Sequence, residues 1–305
     1  MAEPLTTERG YPGMGAASAY LLLVVAMLSW SGNMIVGRAL AGTVPPLGLS
    51  LMRWSIAFFL VLPFAGAEIV AKRAVLGRHW RILLLLGLLG VTICNSLSYV
   101  GLQWTTALNG ALVNSAGPML TLLAAFAFNR ERATPWQLAG ILVSLAGVLV
   151  IVLRGDPAAL VALSINRGDV AMLLSVATWS VYTVLLRRRP PELSPVALLA
   201  VLFGIGALTL VPLHLVESWA GRPLPTTRDA LMGYLYVGIF PAVVAFFGWN
   251  RGVAAIGPSR ASLFSHLIPL FSAGLAYLFL NERIAGFHLA GGALIFLGIF
   301  LANRR

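Results

Sequence analysis

Charged residues are scarce in this sequence. Asp, Glu, Lys and Arg make up 10% of the 305 residues, whereas soluble domains carry about 25%. So little charge cannot cover a water-soluble surface. A lipid-facing surface needs none, because the bilayer core favours Leu, Val, Ile and Phe. With 59% apolar residues, the composition predicts an integral membrane protein.

Cysteine and intramembrane acid are also lacking. The single cysteine, Cys94, can form neither an intramolecular disulfide nor a metal cluster, and we expect no cofactor and no metal. Since proton pumps commonly use intramembrane carboxylates, a chain without them is expected not to use carboxylate-based proton coupling. Coupling through His266 is the alternative. The acidic residues nearest to apolar runs all fall at their ends or in loops: Glu68, Glu131, Asp169, Glu217 and Glu282.

The apolar residues form ten runs, each long enough for a membrane helix of about 20 residues. Short connections join them, and residues 1–16 read as a flexible leader. The first run is longer than the apolar core of a signal peptide and is followed by many others, so it is expected to remain in the protein. The runs cover residues 17–40, 46–66, 80–102, 105–128, 135–153, 169–187, 195–216, 230–250, 258–280 and 284–303.

The formal net charge of +11 would suggest nucleic-acid binding in a soluble protein. Here the basic residues lie between the apolar runs, where positive charge orients helices. If the N-terminus is cytoplasmic, 14 of the 21 Lys and Arg residues fall on the cytoplasmic side and 6 outside. The bias predicts that both termini are cytoplasmic, with the lipid bilayer as partner and no nucleic acid.

The sequence also repeats itself after 151 residues without a gap. Each half, 17–155 and 156–305, contains five runs. Because five is odd, the second half must enter the membrane from the opposite side. Such an inverted repeat is typical of transporters, whose halves exchange conformations around a central site. The matches include Gly101/Gly252, Pro118/Pro269, Glu131-Arg132/Glu282-Arg283, Gly140/Gly291 and Gly147/Gly298, and Trp30-Ser31 resembles Trp179-Ser180 at an offset of 149.

These doubled motifs resemble the EamA-like branch of the drug/metabolite transporter superfamily, over almost the whole chain. The residues that carry the resemblance are Trp30, Arg53-Trp54, Ala57, Pro118, Asn129-Arg130-Glu131-Arg132, Gly140, Gly147, Pro269, Asn281-Glu282-Arg283, Gly291 and Gly298.

The resemblance implies an all-α integral membrane fold of ten transmembrane helices in a 5+5 inverted repeat, with a central cavity. It also implies export of metabolites, often amino acids, from the bacterial cytoplasm, and hence a place in the inner (cytoplasmic) membrane. Within the branch the chain is most similar to aromatic amino acid exporters of the YddG type. One departure is visible: the seventh run has no counterpart of Arg53.

Polar and aromatic residues deep in apolar runs are candidates for a substrate-binding cavity, because such groups are costly in lipid. Each has a plainer alternative: Ser and Asn can join helices, Trp and Tyr can anchor at the interface, and His266 can be a satisfied core residue. Arg53 is expected to snorkel or pair structurally rather than bind substrate. The candidates are Trp30, Asn33, Asn95, Tyr99, Asn114, Ser115, Trp179, Tyr182, Trp249, Asn250, Ser265 and His266.

Prolines suggest hinges in this protein, and glycines suggest helices that stay in close contact. Pro118 and Pro269 fall at equivalent places in the fourth and ninth runs, where a kink would act as a hinge; a static bend is the alternative. The glycines of the fifth and tenth runs predict close helix contact, in a scaffold or a homodimer interface.

A site without fixed charge, lined by amide, hydroxyl and indole groups, favours zwitterions with large apolar side chains. We therefore expect a facilitator that exports aromatic and other large neutral amino acids by alternating access; a multidrug or other metabolite exporter is the alternative. The chain is not expected to be an enzyme, since Ser262 and His266 lack a G-x-S-x-G elbow and a third partner. A channel is disfavoured because no ion-selective ring is visible.

Overall fold

The computed structural model describes residues 15–105, 110, 113–156, 158, 166–280 and 285–303. These residues form helices and connections, with no strand among them. Several features of the sequence analysis lie outside this part of the chain: most of the 1–16 leader, residues 106–109 and 111–112 of the expected 105–128 span, and the motif Asn281-Glu282-Arg283.

The helices are labelled in chain order, and a short connecting helix, Arg73–Arg78, lies between the second and third. The ninth consists of three consecutive segments, of which the middle one is a 3₁₀ turn. The bounds are α1 Ala16–Ala39, α2 Pro46–Ala71, α3 Trp80–Gly101, α4 Gly117–Asn129, α5 Pro135–Val152, α6 Arg167–Leu185, α7 Pro195–Trp219, α8 Arg228–Ile256, α9 Pro258–Ser262 with Leu263–His266 and Leu267–Leu280, and α10 Gly286–Ala302.

Seven of the described helices are long and apolar enough to cross a membrane: α1, α2, α3, α5, α6, α7 and α8. The helices α4 and α10 are apolar but shorter. Hydropathy located these elements well, because a span must be apolar along its whole length. The ends of α2 and α8 continue five and six residues beyond the predicted runs, and each extension contains one charged residue, Glu68 or Arg251.

Glycines bring α5 and α10 into backbone contact. A Cβ atom added to Gly140 would lie 2.5 Å from the carbonyl oxygen of Gly298, and one added to Gly147 would lie 2.6 Å from that of Gly291. Residue numbers rise along α5 as they fall along α10, so the two helices run antiparallel. Since they are the fifth helices of their repeats, they run in opposite directions, as an inverted repeat requires. The expected scaffold is confirmed within one chain.

The helices α2 and α7, the second of each repeat, pair in the same way. Phe58 packs beside Gly204, and Gly48 beside His214, so this pair is also antiparallel. At its centre the rings of Trp54 and Phe203, which are 149 residues apart and occupy equivalent positions, lie 5.1 Å apart. Both pairs therefore surround one pseudo-twofold axis.

A π-helical segment interrupts the third helix of each repeat, at Leu88–Ile93 in α3 and Gly238–Val244 in α8. The two segments are equivalent under the 151-residue offset. A π turn widens the helix by one residue and leaves carbonyl groups open to other donors, and such turns are frequent at functional sites. Here the open carbonyls of Gly90 and Pro241 accept hydrogen bonds from side chains of the central cavity.

The two prolines at equivalent positions of the repeats, Pro118 and Pro269, do not bend a continuous helix. Pro118 stands in the first turn of α4, directly after a turn at residues 115–116. Pro269 stands in the first turn of Leu267–Leu280, directly after the 3₁₀ segment Leu263–His266. The expected kink thus takes the form of a break in the helix directly before each proline, where the ring and the missing N–H disrupt the preceding turn, and each proline stands in a first turn that does not need its donor. Whether the breaks act as hinges stays a prediction.

Candidate functional site

A cavity lies between the two repeats. Its empty volume is about 780 Å³, which includes space open to solvent at its mouth. Residues from α1, α2, α3, α4, α6, α8 and α9, and Asn114 just before α4, line it. The lining residues are Trp30, Asn33, Met34, Arg53, Cys94, Asn95, Ser98, Asn114, Gly117, Thr121, Ser175, Val176, Trp179, Phe246, Trp249, Ser262, Ser265 and Ile268.

One wall of the cavity is aromatic. Trp30 and Trp179, at equivalent positions in α1 and α6, meet edge to face with ring centroids 5.1 Å apart. Phe246 and Trp249 of α8, three residues apart and so on one helix face, lie 5.1 and 5.4 Å from the ring of Trp179. These four side chains, the aromatic wall, offer ring faces and edges to an apolar group.

Another part of the lining, the polar wall, carries amide and hydroxyl groups. Under the 151-residue offset, the places of Phe246 and Trp249 are taken in α3 by Asn95 and Ser98. The amide nitrogen of Asn95 donates to the carbonyls of Gly90 and Val91 in the π segment, at 3.0 and 3.2 Å. The two repeats thus contribute the same helix faces to the cavity but opposite chemistry. A ligand with one polar and one apolar end would have a single preferred orientation in it.

Arg53 of α2 joins the polar wall. Its guanidinium donates to the Pro241 carbonyl at 3.0 Å and to the Tyr99 hydroxyl at 3.1 Å, and its Cζ lies 4.6 Å from the ring centroid of Trp54. The same Pro241 carbonyl accepts the indole N–H of Trp30 at 3.0 Å. Structural pairing of Arg53 is confirmed. The expectation that the site carries no fixed charge is wrong, because Arg53 lines the cavity.

Two tyrosine–asparagine bonds are related by the repeat, with the residue types exchanged. Tyr99 of α3 donates to Asn33 of α1 at 2.7 Å. In the second repeat, Tyr182 of α6 occupies the place of Asn33, and Asn250 of α8 the place of Tyr99; Tyr182 donates to Asn250 at 2.8 Å. Each bond holds the first helix of a repeat to the third.

His266 is a satisfied core residue. Its Nε2 lies 3.0 Å from the carbonyl oxygen of Ser115, and its Nδ1 lies 2.7 Å from the hydroxyl of Ser144. A neutral ring meets both partners, since Nε2–H donates to the carbonyl and Nδ1 accepts from the hydroxyl. Ser115 and His266 are equivalent positions, so their bond lies near the pseudo-twofold axis and joins the breaks in α4 and α9. The side chain does not line the cavity.

The structure brings seven of the predicted site residues to the cavity surface: Trp30, Asn33, Asn95, Asn114, Trp179, Trp249 and Ser265. The other five lie outside the lining, in the hydrogen bonds just described: Tyr99, Ser115, Tyr182, Asn250 and His266. Of the lining residues that sequence reasoning missed, Phe246 carried one usable signal, its three-residue spacing from Trp249.

The sequence of this chain matches the model of a known protein family. The EamA-like transporter family matches residues 17–153 and again residues 166–304, that is, each of the two repeats. The chain belongs to this family. It is therefore a multi-pass membrane transporter, and the family consists of transporters rather than enzymes.

Several proteins with similar sequences align with almost the whole length of this chain. An uncharacterized transporter of Archaeoglobus fulgidus is 29% identical over 95% of this chain and 98% of its own length. The uncharacterized transporter YyaM of Bacillus subtilis is 25% identical over 93% of each chain. A probable terminal-alkyne amino-acid exporter of Streptantibioticus cattleyicolor is 26% identical over 96% of this chain and 95% of its own.

A protein of known crystal structure shares the EamA-like fold of this chain. The two align with a TM-score of 0.74 over 94% of this chain and 96% of the other, at 24% identity. The agreement concerns the fold of the helices alone.

Proposed function

We propose that this EamA-like transporter exports aromatic and other large neutral amino acids from the bacterial cytoplasm. In this proposal the chain has ten spans with both termini in the cytoplasm of an inner-membrane protein, as a monomer or homodimer. Its two inverted repeats exchange conformations, so that the cavity opens first to one side and then to the other. Transport is driven by the substrate gradient.

The observation that carries the proposal is the division of the cavity into an aromatic and a polar wall. An amino acid with a large side chain matches both walls at once, since its ring packs against Trp30 and Trp179 while its charged groups meet Asn33 and Asn95. A purely apolar drug would leave the polar wall desolvated and unpaired, which costs free energy. The S. cattleyicolor relative, a probable amino-acid exporter, supports the same substrate class.

Facilitation is supported by the absence of acidic side chains from the cavity lining in the described part of the chain. His266, the other candidate for proton coupling, has protein partners on both ring nitrogens. Proton-coupled exchange would need a group that meets both substrate and solvent.

The test is uptake of labelled phenylalanine by liposomes that contain the pure protein, with and without an imposed pH gradient. We expect saturable uptake that is unchanged by the gradient and absent from empty liposomes. Accumulation that depends on the gradient would contradict facilitation. No uptake of phenylalanine, together with saturable uptake of cationic dyes, would favour a multidrug exporter instead.

A further inference from the structure

The cavity contains a positive charge that no described residue neutralises. Arg53 is 2% exposed and is the one charged side chain in the described lining. Its hydrogen-bond acceptors, the side chains of Asn33 and Tyr99 and the carbonyl of Pro241, are neutral. No described carboxylate lies within ion-pair distance. Intramembrane charges pair with one another or with backbone carbonyls, and Arg53 has the Pro241 carbonyl but no described counter-charge. An anionic ligand would supply that counter-charge.

Unpaired hydrogen-bond donors point to the same kind of ligand. The Nε–H of Arg53 and the indole N–H of Trp249 are buried and have no acceptor among the described residues. Both side chains line the cavity, one on the polar wall and one on the aromatic wall. The described lining contains no Asp or Glu, so the positive charge of Arg53 favours an anionic group of the ligand. An ammonium group would find only neutral hydrogen-bond acceptors in the lining.

Among the described residues, only the first repeat contributes a positive charge to the cavity. Arg53 of α2 and Leu202 of α7 are equivalent under the 149-residue offset that relates Trp54 to Phe203. Leu202 is fully buried and apolar. The cavity therefore has one anion-binding position rather than a symmetric pair. It lies close to Trp30, whose indole N–H shares the Pro241 carbonyl with Arg53.

We propose that the guanidinium group of Arg53 recognises the carboxylate of the substrate, and that the transported molecules are amphipathic monocarboxylates. The carboxylate is required for binding, and the ammonium group of an amino acid is not. This inference rests on the proposed export function and narrows its substrate class: aryl and alkyl carboxylic acids without an amino group are ligands, whereas amines and amides of the same size are not.

The first test uses the unmodified protein and three probes with the same ring: phenylalanine, 3-phenylpropionate, which lacks the ammonium group, and phenylalaninamide, which lacks the carboxylate. Binding is measured by quenching of tryptophan fluorescence in detergent, which does not depend on transport. We expect 3-phenylpropionate to bind within about tenfold of phenylalanine and the amide about 30-fold more weakly or worse, as for loss of a hydrogen bond to a charged group. Equal binding of the amide overturns the proposal.

The second test uses variants at Arg53. We expect Arg53→Gln to lose discrimination between 3-phenylpropionate and the amide, and Arg53→Lys, which keeps the charge, to retain part of it. The matched control is Arg38→Gln, an exposed arginine on α1 that does not line the cavity. If carboxylates bind selectively but liposomes show no uptake, the export proposal fails and the assignment of Arg53 stands.

Discussion

Glu68 and Glu217 occupy equivalent places in the two repeats, and each caps the helix of the other. Glu68, in the last turn of α2, accepts the backbone N–H of Ser194 at the start of α7, at 2.8 Å. Glu217, in the last turn of α7, accepts the N–H groups of Leu47 and Gly48 at the start of α2, at 3.3 and 2.8 Å. A carboxylate at a helix N-terminus meets unpaired donors and the positive end of the helix dipole.

The first prediction concerns these reciprocal caps. Glu217→Ala should destabilise the protein by about 1–2 kcal/mol, and Glu68→Ala by less, because the side chain of Glu217 is 8% exposed and that of Glu68 is 24% exposed. Thermal unfolding in detergent measures both. The exposed Glu192→Ala is the control, and a Glu217→Ala midpoint equal to that of the control would contradict the prediction.

The second prediction concerns the contact between α5 and α10. Gly140→Ala would push a methyl group to 2.5 Å from the carbonyl of Gly298, so the helices must separate, at a cost of about 1–3 kcal/mol. The control is Gly66→Ala in α2, where nothing lies within 4 Å; there alanine should stabilise the helix by up to about 1 kcal/mol. Similar unfolding midpoints for the two variants would mean that α5 and α10 are not in close contact.

The third prediction compares the two tyrosine–asparagine bonds. Tyr182→Phe removes the hydrogen bond of Asn250, whose amide nitrogen already lacks a partner, and should cost about 1–3 kcal/mol. Tyr99→Phe should cost less, because Arg53 and Asn33 remain to pair with each other at 3.4 Å. Unfolding midpoints decide the order, and a larger loss for Tyr99→Phe would refute the argument.

The fourth prediction concerns the aromatic wall. Trp30→Ala and Trp179→Ala should each reduce phenylalanine uptake by about tenfold or more, because the apolar group of the substrate loses its packing surface. Uptake rates are compared at equal amounts of folded protein. Trp219→Ala, at an 83% exposed position at the end of α7, is the matched control. Normal uptake by both cavity variants would show that the aromatic wall does not bind the substrate.

The fifth prediction concerns the breaks before Pro118 and Pro269. Replacing both prolines with alanine should allow the helix to continue through each break and slow the exchange between conformations, so kcat falls while KM changes little. Pro135→Ala, another first-turn proline at an exposed position, controls for the loss of the ring. An unchanged kcat in the double variant would show that the breaks are static.

The membrane helices could be predicted from the sequence because a span is apolar from end to end. The repeat could be predicted because rare residues recur in both halves. Gly140 and Gly291 were recognisable because paired glycines rarely coincide by chance, and Trp30 and Trp179 because indole groups are unusual deep in a span. Phe246 carried only its three-residue spacing from Trp249, which does not separate a cavity-lining phenylalanine from a lipid-facing one. It is a phenylalanine in an apolar helix like Phe64, yet Phe246 is 1% exposed and Phe64 is 80% exposed.

Arg53 and the π-helical segments show a second limit. A single arginine near one end of an apolar run fits both a side chain that reaches the membrane surface and one that points inward. Only the positions of Pro241 and Tyr99, from helices distant in sequence, decide between them. The extra residue of a π turn leaves hydropathy unchanged, so Leu88–Ile93 and Gly238–Val244 carry no mark that a span-finding argument could use.

The contact between α5 and α10 has a consequence for ancestry. Because Gly140 meets Gly298 while Gly147 meets Gly291, the interface is isologous: each side presents the same pair of positions to the other. A half-length chain of this kind, inserted in both orientations, could form this contact with a second copy of itself. The two halves differ elsewhere, since the equivalent of Arg53 in the second half is Leu202.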